Sequence, residues 1–185
     1  ALWHIVPIES GKPLDSIAFV QAQATIHDTL ASRGYLFAQV ERELDYNDSN
    51  NRVDVIYTVR EGPLVLAGEF EFLGLNKVDP RVIRRELTFK QGDIITASRV
   101  SQSIQRIYRT GLFDLVRIEP LDTLFVPPVI DTISVPVVIE VNEEDMLQAQ
   151  AGGGYEIESG LFVSFEIAYR NLYGLGHRIS LGTTL

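Results

Sequence analysis

Stretches with the two-residue period of a β-strand alternate along the chain with stretches that have the spacing of an α-helix. From residue 64 to 73 apolar side chains recur at every second position, which predicts a β-strand. Asp79-Pro80 suits a helix start, because Asp caps free N–H groups and Pro fits the first helical position. Residues 96–111 carry apolar side chains at helical spacing, and strand-like alternation returns twice within 115–142. The stretch 64–145 therefore predicts strand, short helix, longer helix, strand, strand.

An incomplete copy of this plan comes first. Residues 6–63 contain one amphipathic helix followed by two alternating strands, and Arg33-Gly34-Tyr35 corresponds to Thr110-Gly111-Leu112 at the helix end. The two helices differ in length by about one turn, so their buried faces stay in phase. Counterparts of the first strand and of most of the first helix are missing, and we expect the chain to begin inside a module.

A third pattern occupies the C-terminal part. Apolar and polar side chains alternate over 147–157, 161–170 and 178–185, with a glycine-rich turn at 171–176. Such strands are typical of a transmembrane β-barrel, which has lipid outside and water inside. A soluble antiparallel sheet with one wet face has the same pattern. A barrel would need many further strands, because open sheet edges are not tolerated in lipid.

Four short motifs, in this order, add a family resemblance. They are Glu61-Gly62-Pro63 between the modules, Glu69–Leu75 with the Asp79–Leu87 helix, Gly111–Asp114 with Val116, and the turn and strand of Asn171–Leu181. The modules resemble POTRA domains, and the whole chain resembles the BamA/TamA superfamily of outer-membrane assembly factors.

The resemblance implies an α+β fold. It consists of tandem POTRA modules, each with two helices on a three-stranded mixed sheet, followed by the first antiparallel strands of a transmembrane β-barrel. The expected boundaries are 1–63 for an N-terminally incomplete module, 64–145 for a complete module beside the barrel, and 146–185 for the barrel strands.

The resemblance also implies a function and a location. POTRA modules in the periplasm of a bacterial cell would receive unfolded outer-membrane proteins, and the barrel would insert them into outer-membrane lipid. Accessory periplasmic proteins or lipoproteins are further expected partners. Two alternatives stay open: a two-partner secretion pore that exports a passenger protein, and a soluble POTRA-type interaction module.

The first candidate site is a sheet edge of the module 64–145. An edge strand has unpaired N–H and C=O groups, with which an extended protein can pair by β-augmentation whatever its sequence. The alternative is that a loop or a neighbouring module covers the edge. The candidate residues are Leu66, Gly68, Phe70 and Phe72 in one strand and Leu115, Val116 and Arg117 in another.

The second candidate site is the first strand of the expected barrel. The resemblance implies that this strand meets the last barrel strand at a weak seam, and glycines weaken a strand and let it bend. The alternative is that the glycines serve close packing or a kink. The candidate seam residues are Gly152, Gly153, Gly154 and Tyr155.

Composition narrows the chemistry further. The net charge of −9 argues against nucleic acid as a partner. The absence of cysteine excludes disulfides and thiolate metal sites. The sequence has no nucleophile elbow, no phosphate-binding loop and no metal-spaced histidine set. We therefore predict no catalytic residues, no cofactor and no metal. Arginines concentrated within 81–117 either face lipid phosphates or an acidic partner, or form a solvated face.

Overall fold

The computed structural model describes residues 6, 8–47, 52–121, 131–157 and 160–185. Their elements are α1 (Ser16–Ser32), β1 (Gln39–Asn47), β2 (Arg52–Arg60), β3 (Leu64–Leu73), α2 (Pro80–Glu86), α3 (Ala97–Arg109), β4 (Phe113–Pro120), β5 (Thr132–Glu143), β6 (Leu147–Glu156), β7 (Gly160–Leu172) and β8 (His177–Thr184). The strands form sheets in the orders β1-β2, β3-β5-β4 and β6-β7-β8. The predicted α+β class is confirmed.

The chain divides into two compact units that do not follow the order of the sequence. Unit 1 comprises residues 1–69, 89–100 and 121–136, and unit 2 comprises 70–88, 101–120 and 137–185. None of the helices within the described ranges is long and apolar enough to cross a membrane.

In unit 1, helix α1 covers one face of the β1-β2 sheet. The helix begins after Asp15, whose carboxylate accepts the backbone N–H of Ile17 at 2.8 Å. Ile26 and Leu30, one turn apart, belong to a buried cluster with Ala38 and Val40. The predicted apolar helix face is therefore the buried one.

The β3-β5-β4 sheet is mixed, as predicted for the second module. Strands β4 and β5 are antiparallel. Gly68 of β3 lies beside Val135 of β5, and Gly74, just after β3, lies beside Val141. Because the residue numbers increase in the same direction along both strands, β3 and β5 are parallel. A Cβ at position 68 would lie 2.8 Å from the carbonyl oxygen of Val135, which explains why glycine is needed there.

Helices α2 and α3 have identifiable starts. Asp79 caps α2 by accepting the N–H of Arg81 at 2.8 Å, with Pro80 at the first helical position, as the sequence predicts. At the start of α3 the hydroxyl of Thr96 accepts the N–H of Arg99 at 3.3 Å. Unit 2 buries apolar side chains from these helices, from the loop after α3 and from β5. The most deeply buried are Val82, Ile83, Ile107, Leu112, Val137 and Ile139.

The β6-β7-β8 sheet is antiparallel throughout. Its register places odd-numbered residues opposite one another, for example Leu147 opposite Tyr169 and Ile167 opposite Leu181. Side chains of successive residues point to opposite faces of a sheet. The odd-numbered apolar residues of all three strands therefore share one face, and the even-numbered, mostly polar residues share the other.

Candidate functional site

The first half of β3 is an outer strand whose edge is covered. Ala67 donates its N–H to the carbonyl of Asp93 at 2.8 Å and accepts the N–H of Gly92 at 2.7 Å. Val65 accepts the N–H of Ile95 at 2.9 Å, and its own N–H bonds to the carbonyl of Gly34 at 3.0 Å. Residues 92–95 thus occupy the backbone positions that an added strand would need beside the candidates Leu66 and Gly68.

The second half of β3 carries the candidates Phe70 and Phe72. Both side chains are half-buried. The guanidinium of Arg84 in α2 lies 5.3 Å from the ring centroid of Phe72, within cation–π range. Phe72 therefore has a role in packing α2 against the sheet.

Strand β4 is the other outer strand of this sheet. Val116 donates its N–H to the hydroxyl of Tyr108 at 3.1 Å, so this group points away from β5. Because backbone groups alternate in an antiparallel pair, those of Ile118 point the same way. Within the described ranges no strand pairs with this side of β4. The candidates Leu115, Val116 and Arg117 therefore lie on the more open edge.

Side chains shape the surroundings of that edge. Leu115 is 40% exposed, which gives an apolar contact beside the backbone groups. Arg117 pairs with Glu140 of β5 at 2.9 Å, an exposed pair of small energetic value. A register shift between Phe113 and Leu115 interrupts the pairing of β4 with β5, as bulges at sheet edges often do.

The sequence reasoning missed a comparable edge in unit 1. Strand β1 follows its helix as β4 follows α3, and Gln23 of α1 donates its side-chain N–H to the carbonyl of Val40 at 2.6 Å. An open groove of about 380 Å³ runs between α1 and β1, with His27 and Arg42 among its lining residues. The internal repeat could have predicted this second edge, because Arg33-Gly34-Tyr35 precedes β1 as Thr110-Gly111-Leu112 precedes β4.

The candidate seam strand β6 is an outer strand of its sheet. The ring of Phe162 lies over Gly154, where a Cβ would come within 2.9 Å of two ring carbons. At Gly152 a Cβ would lie 3.1 Å from the hydroxyl of Ser164. None of the three glycines has a positive φ. Close packing thus accounts for Gly154, while Tyr155 on the opposite face is 75% exposed.

The odd-numbered face of β6-β7-β8 is an exposed apolar surface. Its large apolar side chains are between 41% and 80% exposed: Leu147, Tyr155, Leu161, Val163, Phe165, Ile167, Ile179 and Leu181. Monomeric soluble proteins rarely expose contiguous apolar patches larger than a few hundred Å². The even-numbered face carries an Arg178–Glu166 ion pair at 3.1 Å instead. One face therefore suits an apolar environment and the other suits water.

Several charged groups near α2 and α3 are paired with one another. Glu86 lies 3.3 Å from Arg85 and 3.5 Å from Arg106, and Asp79 lies 3.8 Å from Arg81. Burial raises the pKa of Tyr57, and the positive charge of Arg42 lowers it by less. In the part of the chain that the structure describes, no group of three or more His, Asp or Glu side chains is placed to hold a metal ion.

Two stretches of the chain match the model of a known protein family. The POTRA model, described as a surface antigen variable number repeat, matches residues 2–62 and 66–144. Among curated proteins, the outer membrane protein assembly factor BamA of Neorickettsia risticii is 29% identical over 174 residues, covering 94% of this chain and 22% of the relative. The BamA of Neisseria meningitidis is 22% identical over 180 residues, covering 97% and 22%.

Solved structures show the same fold. A BamA structure from Haemophilus ducreyi that lacks POTRA domains 1–3 matches with a TM-score of 0.81 at 23% identity, covering 97% of this chain and 33% of that one. POTRA domains 3–5 of Haemophilus influenzae BamA match with a TM-score of 0.60 at 22% identity, covering 74% and 52%.

The chain spans about a fifth of the length of the curated relatives it matches. Those relatives are outer-membrane proteins, so the outer-membrane location predicted from the sequence, with POTRA modules in the periplasm, is confirmed. The two matches to the family model together cover most of the chain, and the fold agrees with them. The chain belongs to the POTRA family, within the BamA/TamA superfamily of outer-membrane proteins.

Proposed function

We propose that this chain is the barrel-proximal part of an outer-membrane protein assembly factor. Residues 1–63 and 64–145 are tandem POTRA modules, and 146–185 are the first strands of a transmembrane β-barrel. The observation that carries the proposal is the exposed apolar face of β6-β7-β8, which begins directly after the second POTRA match.

Strand length and sidedness support the membrane assignment. Strands β6 and β7 have 10 and 13 residues, and a tilted transmembrane strand needs about 9–11. Each Å² of apolar surface removed from water contributes about 25 cal/mol, so a full face of aliphatic and aromatic side chains strongly favours lipid over water. The even-numbered face, with its Arg178–Glu166 pair, then lines the aqueous interior.

Clients, meaning unfolded outer-membrane proteins, bind along the open edge of β4. An extended client pairs with the outward backbone groups near Val116 and displaces the Tyr108 hydroxyl from its N–H. Backbone pairing does not depend on client sequence, which suits a receptor for many proteins. The covered edge beside Leu66 and Gly68 takes no part in this, since residues 92–95 already occupy it.

The free edge of β6 is the proposed seam. Backbone at Gly152 and Gly153 bends more easily than ordinary strand backbone, so β6 can part from the last barrel strand and pair with a client hairpin. A disulfide that locks β6 to the last strand should block insertion. Insertion at the normal rate in the locked protein would contradict the seam.

A matched pair of crosslinking positions tests the client site. A photo-crosslinking residue replaces Leu115 on the open edge or Leu66 beside the covered edge, in the full protein supplied with an unfolded outer-membrane protein. We expect a client adduct from position 115 and little from position 66. Equal adducts, or none from position 115 in a functional protein, would contradict the assignment to β4.

Depletion in the living cell separates assembly factor from secretion pore. An assembly factor serves many barrels, so its loss should lower the outer-membrane level of barrel proteins in general. Loss of a single secreted passenger, with other barrels unchanged, would instead support the pore.

A further inference from the structure

We propose that the last two residues of β7 and the turn to β8, together Asn171–Gly176, form a latch that fixes the β6-β7-β8 sheet to the loop before α2, so that the two move as one body. The latch bears on how the proposed assembly factor carries POTRA movement to its first barrel strands. Its test measures distances within the protein, so it can fail while the proposed function stands, and the reverse.

Asn171, near the end of β7, makes the main contacts of the latch. It is 2% exposed, one of two buried polar residues in the described chain. Its side-chain N–H donates to the carbonyl of Lys77 at 2.9 Å, and its side-chain oxygen accepts the N–H of Gly176 at 3.0 Å. One amide therefore closes the turn and ties it to a residue 94 positions earlier.

A backbone bond reinforces the tie. Asp79 donates its N–H to the carbonyl of Gly174 at 2.9 Å, next to the carboxylate that caps α2. Arg85 of α2 also donates to the carbonyl of Leu175 at 3.4 Å. The turn thus holds both the loop before α2 and the last turn of that helix.

Steric fit requires glycine at two places in the turn. Gly174 and Gly176 have φ values of +75° and +74°, which favour glycine. A Cβ at Gly174 would also lie 3.1 Å from the carbonyl oxygen of Lys77, and one at Gly176 would lie 3.1 Å from the Leu112 side chain. The turn is therefore shaped to lie directly against these residues.

A second attachment lies beside the first. The guanidinium of Arg170, 25% exposed on its side chain, donates to the carbonyl of Gly111 at 3.1 Å and to the side chain of Gln148 in β6. It also lies 3.9 Å from the carboxylate of Glu144. Arg170 therefore links the loop after α3 to β6 and β7 at one point.

The loop before α2 is held from its other side as well. The carboxylate of Glu143, at the end of β5, accepts the backbone N–H groups of Asn76, Lys77 and Val78 at 2.8–3.0 Å. Charge-assisted bonds of this kind are stronger than neutral ones. With Asn171 on one side and Glu143 on the other, the loop has little freedom to move separately from either element.

Spin-label distances in the full protein test the latch. The 185 residues contain no cysteine, so cysteines introduced at Gln105 of α3 and Ser180 of β8, both exposed, give defined label sites. Asn171→Ala removes the two side-chain hydrogen bonds by which the latch holds Lys77 and Gly176. Asn142→Ala is the matched control, because its side-chain N–H bonds to Asp114 within the module.

We expect a narrow Gln105–Ser180 distance distribution in the wild-type protein and in Asn142→Ala, and at least a twofold wider one in Asn171→Ala. An unchanged width in Asn171→Ala would overturn the proposal. A second label pair, Gln105 and Glu119, reports whether the module itself stays folded. If that pair also broadens, Asn171→Asp is measured, since it keeps an acceptor for Gly176 and replaces the donor to Lys77 with a carboxylate oxygen, which repels that carbonyl. Selective broadening supports the latch, and an unchanged width overturns it.

Discussion

Strands β5 and β8 have the same alternation of apolar and polar residues, but the apolar side chains are buried in β5 and exposed in β8. Val137, Ile139 and Val141 of β5 are at most 3% exposed, whereas Ile179 and Leu181 of β8 are 57% and 80% exposed. Helices α2 and α3 accompany the sheet of β5, while the described residues from 146 to 185 include no helix. Alternation thus defines which face of a strand is apolar. What covers that face depends on other elements or, in β8, on the proposed lipid.

The largest expected effect is on a core residue of β5. Ile139→Ala should lower the free energy of unfolding by about 2–5 kcal/mol, because it opens a cavity in a packed interior. Ile179→Ala is the matched control, and it should cost less than half as much, because mobile lipid fills the space. Denaturant unfolding of both variants in lipid, followed by circular dichroism, checks this. Equal losses of unfolding free energy in the two variants would contradict the view that β5 faces a packed protein core and β8 faces lipid.

A charge on the apolar face should have the next largest effect. Leu181→Lys places an ammonium where we expect hydrocarbon, at a cost of about 2–4 kcal/mol near the bilayer midplane. Ser180→Lys, the neighbouring residue on the polar face, should cost close to nothing. Urea titration of folding into lipid vesicles measures both. Similar costs at the two positions would contradict the assignment of the faces.

A smaller effect is expected at the packed glycine of β6. Gly154→Ala should cost about 1–2 kcal/mol, since its Cβ would meet the Phe162 ring at 2.9 Å and the ring must shift. In a double-mutant cycle with Phe162→Ala this cost should largely disappear. Additive costs in the cycle would show that the glycine serves flexibility rather than packing.

The smallest effect concerns a tyrosine that a helix covers. The hydroxyl of Tyr57 donates to the carbonyl of Phe19 at 2.8 Å, so Tyr57→Phe should cost about 0.5–1.5 kcal/mol. Tyr155→Phe, at a residue 75% exposed, should change stability less.

Tyr57 should also make stability depend on alkaline pH. Burial raises its pKa in the folded state, so its contribution is complete below the ordinary tyrosine pKa of about 10 and is lost as pH rises through the folded value. Unfolding measured from pH 8 to 12 should show this decline in the wild-type protein. An equal decline in Tyr57→Phe would assign it to other groups.

Local pattern was sufficient for the elements of the fold. The alternation at 147–157, 161–170 and 178–185 predicted three strands, and β6, β7 and β8 lie there within two residues at each end. Asp79-Pro80 predicted the start of α2, because capping depends on neighbours in the sequence.

The local sequence pattern could not predict contacts between residues that lie far apart in the sequence. Residues 92–95 lie between the two predicted helices, and nothing in their own pattern indicated that they cover the edge of β3. Asn171 suggested only a turn, yet its side chain bonds to Lys77. Both depend on which segments fold next to each other, and alternation or helical spacing carries no information about that.

The accessibility of successive residues along β7 tests the central claim most directly. Spin labels are placed one at a time at positions 161–169 of the full protein in lipid, and collision with oxygen, which favours lipid, is compared with collision with a water-soluble nickel complex. We predict a period of two, with odd positions open to oxygen and even positions open to nickel. Uniform access to nickel at all nine positions would contradict a membrane-facing sheet.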